Sequence, residues 1–103
     1  MKPGLDLIDS HCHLDADEFN ADRDQVVQLA RAAGVNTLVV PAIRADLFDL
    51  TRSMACRYDG CVVALGLHPI FIQQHLPEHL QLLRQQLQQG GVVAVGEIGL
   101  DGF

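Results

Sequence analysis

Apolar residues along the chain fall into two alternating patterns, and the alternation predicts an architecture. Leu5 to Asp9 is a short apolar stretch suited to a strand. From Ala21 to Ala33, the residues Val26, Val27, Leu29, Ala30 and Ala33 recur at helical spacing, with Gly34 as a stop signal. Asn36 to Pro41 is a β-branched run ended by proline, the pattern of a buried strand. Helical spacing returns from Ala45 to Tyr58 through Leu47, Phe48, Leu50 and Met54, and Asp59-Gly60 closes it. Cys61 to Leu67 predicts a third strand. Pro77 suits the first position of a third helix, carried by Leu80, Leu82, Leu83 and Leu87 to Gly90-Gly91. Val92 to Ile98 predicts a fourth strand.

Apolar runs separated by helices imply parallel strands covered by helices on one or both faces. One strand-plus-helix unit takes about 30 residues, so an eight-unit barrel needs roughly 250. The expected fold is α/β: the N-terminal part, about four strands and three helices, of a TIM-type (β/α)8 barrel with a parallel sheet. Residues 1–103 are expected to form a single truncated domain. Half a barrel exposes two strand edges and the apolar side of its sheet. The first expectation is therefore a fragment of a longer fold, with closure by self-association through the exposed edges, or a small open sheet, as the alternatives.

Composition narrows the class. The chain is 49% hydrophobic and 19% charged, which argues against intrinsic disorder. No apolar run approaches the roughly 20 residues that cross a bilayer, so no membrane partner is expected. Met1 to Asp6 lacks the apolar region of a secretory leader, and the expected location is cytoplasmic. Three cysteines without a CxxC pair read as reduced structural thiols. Cys56 and Cys61 flank a turn, and Cys12 lies between two histidines with strand geometry aiming it away from them. The net charge of −6 argues against nucleic acid held on a broad basic face. It still permits an enzyme acting on nucleic acid, because divalent metal neutralises clustered carboxylates.

Candidate chemistry sits at the strand ends. In Leu7-Ile8-Asp9-Ser10-His11-Cys12-His13-Leu14-Asp15, side chains at i and i+2 share a face, so His11 and His13 point one way. Two such imidazoles can chelate a divalent ion, or can simply be solvated in a loop. Glu97 follows the fourth apolar run between Gly96 and, beyond Ile98, Gly99. A lone carboxylate there is costly to bury unless paired or metal-bound, which with the histidine pair favours ligation over a water-facing acid. His68, in Leu65-Gly66-Leu67-His68-Pro69, can contact a substrate phosphate, orient water, ligate metal or pack in a turn. Asp9 and Asp15 share the histidines' parity and can support them. Asp17, Glu18, Asp22 and Asp24 read mostly as a solvated acidic helix entry. His75 and His79 read as solvent-exposed, and Gln81, Gln85, Gln86, Gln88 and Gln89 as a polar helix face.

The segments LIDSHCHLD, GLHP and VGEIGLD, in this order and at these separations, resemble the TatD-type hydrolases within the amidohydrolase-like barrels. The likeness covers essentially the whole chain, as the first two-fifths or so of a family member. It implies a metal-dependent hydrolase that removes nucleotides from DNA ends, a 3'-5' exodeoxyribonuclease-like activity on DNA or a small phosphodiester. It implies that His11 and His13 bind one metal, that Glu97 bridges to a second, and that His68 lies near the substrate phosphate. The ions implied are magnesium, with zinc or manganese as alternatives by ligand softness, two per complete site. The later ligands of such proteins, two histidines and an aspartate, have no counterpart here, and Gly102 stands where an aromatic is usual. No residue is therefore assigned as catalytic, and a catalytically inactive fragment is an alternative. So is another amidohydrolase chemistry, although those enzymes often bridge their metals with a modified lysine and Lys2 is the single lysine.

Overall fold

Four parallel strands lie side by side in chain order: β1 (Leu7–Asp9), β2 (Val35–Pro41), β3 (Cys61–Leu65) and β4 (Ala94–Val95). Three helices make the crossovers: α1 (Arg23–Ala32), α2 (Phe48–Arg57) and α3 (Pro77–Gln88). The structure, a computed structural model, describes residues 5–102. The leader reading of Met1 to Gly4, the lysine at position 2 and Phe103 lie outside them.

The β-branched runs form the centre of the sheet, with Leu38, Val40 and Val63 buried under the helices and Val39 and Val62, on the opposite face, half-buried. Leu38 pairs with Cys61 and Val40 with Val63 in the β2–β3 ladder. Between sheet, α1 and α2 these residues join Leu14, Val27, Met54 and Tyr58 in one buried cluster. A second cluster of Ala42, Ala45, Phe48 and Leu65 sits at the C-terminal ends of β2 and β3. Val40, Val63 and Leu65 are almost completely buried, at about 1.5–3 kcal/mol each. The α1–β2 joint closes on Gly34, whose φ of +97° is a conformation that side chains resist.

Element ends depart from expectation where tertiary bonds intervene. α1 begins at Arg23 rather than Ala21, and Ala45–Leu47 forms a 3-10 turn ahead of α2. β3 ends at Leu65, short of Leu67. β4 has two residues where Val92 to Ile98 was expected. Val93 N–H donates to Val63 O and Gly96 N–H to Leu65 O, but Glu97 N–H donates to Ala42 O at 2.9 Å. The chain therefore leaves the edge of β3 at residue 97 and crosses the rim toward β2. The glutamine face of α3 also has work to do. Arg52 on α2 donates to Gln86 Oε1 and to the Gln86 and Gly90 carbonyls, tying the two helices.

All three cysteines are free: Cys61 buried, Cys12 half-buried, Cys56 exposed. Burial, ahead of the nearby Asp9 charge, raises the pKa of the Cys12 thiol, and it packs on the core rather than toward the histidines. No helix among the described residues is long and apolar enough to cross a membrane.

Candidate metal centre

His11 and His13 lie just past the end of β1, yet their rings still come together as on a strand. Cys12 N–H donates to Val39 O at 2.9 Å, so the chain stays extended beside β2 after the strand ends. The two Nε2 atoms come within 3.1 Å, with the rings edge to face. Asp9 is not a partner of either ring: its carboxylate accepts the His11 backbone N–H at 3.1 Å. Asp15 turns inward and accepts from Thr51 Oγ1 at 2.6 Å. The loop after His13 is pinned by Arg23. Its guanidinium donates to Leu14 O at 2.7 Å, Ala16 O at 2.9 Å and Asn20 Oδ1 at 2.8 Å.

Glu97 reaches the pair from the far edge of the sheet. One carboxylate oxygen, Oε2, lies 3.1 Å from His13 Nε2 and 3.6 Å from His11 Nε2. The side chain is 17% exposed, against 54% for His11 and 41% for His13. The approach depends on Gly66, since a Cβ there would run into the Glu97 carbonyl oxygen and lie 2.5 Å from the Gly96 carbonyl carbon.

The other oxygen, Oε1, faces His68 Nε2 at 3.3 Å. His68 Nδ1 accepts the Ile70 N–H at 3.0 Å, so the ring proton is left on Nε2, which points at Glu97. His68 is fixed through its backbone too, donating to Ile43 O at 2.9 Å and accepting from His75 Nε2 at 2.7 Å. His75 and His79 are thus not free in solvent as expected. Both are half-buried, and His79 Nδ1 caps α3 by accepting the Leu76 N–H. Asp24, expected as solvated, instead accepts from Tyr58 Oη and Arg57.

Two imidazole nitrogens and one carboxylate oxygen within 4.8 Å of one another are the described residues' candidate metal cluster. Ligand bonds of about 2.0–2.2 Å at tetrahedral-to-octahedral angles put neighbouring donors about 3.0–3.5 Å apart. The observed separations of 3.1, 3.1 and 3.6 Å fit that spacing. His68, with its proton on Nε2, is a hydrogen-bond donor here and offers no lone pair to an ion. The residues that sequence reasoning missed are supports. Gly66 was visible within the GLHP segment, and Thr51 as a polar residue between Phe48 and Met54 on an apolar helix face. Arg23 carried no sequence signal, because its partners are carbonyls of an irregular loop.

Sequential parallel strands with a histidine pair past the first and a carboxylate past the fourth define the metal-centred barrel class in its first four strands. The TatD related DNase family matches residues 8–103, and the chain belongs to that family. It is 43% identical over 99 residues to the uncharacterized metal-dependent hydrolase YjjV of Escherichia coli (strain K12), across 94% of this chain and 38% of the relative. A 3'-5' ssDNA/RNA exonuclease TatD from Cronobacter turicensis is 33% identical over 95 residues, across 92% of this chain and 36% of the relative. The crystal structure of YjjV, a TatD homologue, matches the fold with a TM-score of 0.89 at 42% identity, across 94% of this chain and 38% of that one. The chain spans less than two-fifths of these relatives' length, and its half-barrel corresponds to the N-terminal part of the solved barrel.

Proposed function

We propose that this chain carries one half of a divalent-metal centre for phosphodiester hydrolysis, of the kind that removes nucleotides from the 3' end of DNA. The observation that carries the reading is the meeting of His11 Nε2, His13 Nε2 and Glu97 Oε2 at donor spacing, from opposite edges of one sheet. A divalent ion in that position polarises a phosphoryl oxygen and makes water a nucleophile near neutral pH. His11, His13 and Glu97 Oε2 would hold the ion, and the Glu97 carboxylate suits the bridging role that the family resemblance implies. His68 Nε2–H, now pointed at Glu97 Oε1, is placed to donate to a non-bridging phosphate oxygen. Two imidazoles and a carboxylate suit manganese or zinc by softness, whereas the family resemblance favours magnesium.

Three protein donors leave coordination positions that the described residues do not fill. The 103-residue chain is therefore expected to take up metal and to hydrolyse DNA only slowly. A carboxylate in the bridging position favours this reading over cyclic-amide chemistry, for which no lysine lies within residues 5–102. Calorimetric titration of the purified chain with manganese, zinc and magnesium is the direct test. Uptake should weaken roughly tenfold or more in His11→Ala and in Glu97→Ala. Equal uptake by the parent and both variants, or none by any, overturns the site. Digestion of end-labelled single-stranded DNA that proceeds unchanged in Glu97→Ala overturns the activity.

A further inference from the structure

A cavity at the rim shares one wall with the candidate metal centre and has no other part in it. It encloses about 390 Å³ between the chain that follows β1 and the chain that follows β2. His13, Asp17, Glu18, Arg44, Leu47 and Leu50 are among the residues that line it. The volume falls in the range of small-molecule sites, roughly 300–1,000 Å³. Every lining residue lies between positions 13 and 50, so both walls belong to crossovers that this chain carries whole. Arg44 gives the cavity its character. Its Nε donates to Asp46 Oδ1 at 3.1 Å and its Nη2 to Asp46 Oδ2 at 3.4 Å. The guanidinium carbon stands 5.0 Å from the centre of the Phe71 ring. One edge and one face of the guanidinium are thus engaged by groups outside the cavity lining, which leaves the second face to the cavity.

We propose that this cavity holds a nucleobase of the substrate, stacked on the Arg44 guanidinium, and that it favours bases carrying an amino group. Charge decides between base and phosphate. Asp46 already balances Arg44, and Asp17 and Glu18 add negative charge on the other wall, so a phosphate is repelled and an uncharged ring is not. A flat base fits a flat guanidinium face, and Leu47 and Leu50 offer it apolar surface. Ionised carboxylates accept hydrogen bonds and cannot donate them, so Asp17 and Glu18 suit the amino groups of cytosine and adenine. Thymine has carbonyl oxygens where cytosine has its amino group, and meets the same carboxylates less well. The inference rests on the reading of the centre as one for phosphodiester hydrolysis. With His13 on the shared wall, a phosphate at the ion puts its attached nucleoside beside the cavity.

Nuclear magnetic resonance titration of the isotope-labelled chain with deoxycytidine, thymidine and inorganic phosphate, each added alone in magnesium buffer, tests the pocket. Deoxycytidine should shift the backbone signals of Leu47 and Leu50 and bind about fivefold more tightly than thymidine, while phosphate leaves those signals in place. Arg44→Ala and Arg44→Lys should each weaken deoxycytidine roughly fivefold or more with the rest of the spectrum kept, since lysine retains the charge and loses the flat face. In the double variant Asp17→Asn with Glu18→Gln, the two nucleosides should bind alike. Deoxycytidine that shifts nothing at Leu47 and Leu50, full binding in Arg44→Lys, or phosphate seated in place of the nucleoside overturns the proposal. So does a preference for deoxycytidine that survives the double variant. Free nucleosides carry no phosphate, so their binding is read apart from the ion. Metal uptake through His11 and Glu97 without any nucleoside shift defeats the pocket and leaves the metal reading standing. Nucleoside binding through Arg44 without metal uptake keeps the pocket and defeats the metal reading.

Discussion

The inner pair of strands, β2 and β3, and the outer pair, β1 and β4, come from similar apolar sequence and meet different fates. Leu38, Val40, Val63, Ala64 and Leu65 are buried, while every residue of β1 and β4 is exposed. Apolarity selects the strand, but burial takes neighbours, and only the inner pair has a strand on both sides with α1 and α2 packed over it. The candidate site hangs on the outer pair. Its groups are steadied by bonds back to the inner pair, Cys12 N–H to Val39 O and Glu97 N–H to Ala42 O just past the end of β2. The rigid half of the sheet thus positions chemistry that the exposed half carries.

The largest effects should come from the inner half. Phe48→Ala removes a ring that is 1% exposed and should cost about 3–5 kcal/mol in urea denaturation. Val95→Ala on the outer half should cost under about 0.5 kcal/mol in the monomer, and equal losses would erase the contrast. Gly66→Ala forces a Cβ against the Glu97 backbone and should cost about 1–3 kcal/mol. Its sharper readout is metal affinity, which should fall by more than this stability loss explains if Glu97 is displaced. Thr51→Val leaves Asp15 without its hydroxyl donor and should cost about 1–2 kcal/mol in the same denaturation experiment.

The smallest effect lies at the solvent-facing base of the inner half. The Tyr58 hydroxyl, ahead of Arg57, holds the Asp24 carboxyl below its ordinary value. A depressed folded-state pKa contributes stability above the unfolded carboxylate value of about 4, and that contribution is lost as pH falls through the folded value. Thermal melts at neutral pH and near pH 3 should show a shallower acid-side drop in Asp24→Asn than in the parent. An unchanged drop would remove Asp24 from the account.

The parallel half-barrel was legible because helices and buried strands differ in period, and the runs at Val39-Val40 and Val62-Val63 are unambiguous. Strand parity put residues 11 and 13 on one face, and the cost of a lone carboxylate, with the family resemblance, added residue 97. What sequence could not show was where β4 ends, because that is decided by a bond from Glu97 to Ala42, distant in the chain. His75 read as solvent-exposed for the same reason, since its acceptor is the carbonyl of His68, seven residues away. Asp24 read as a solvated acid because its partners, Arg57 and Tyr58, lie on the following crossover.

Arg23 gives the rim a property beyond stability. Three carbonyl-type acceptors converge on one buried guanidinium, so the loop that follows the histidine pair is already set in place when an ion arrives. Capture then needs little loss of chain freedom at the moment of binding. For the proposed centre, the chain behind the two imidazoles would be settled before an ion meets them.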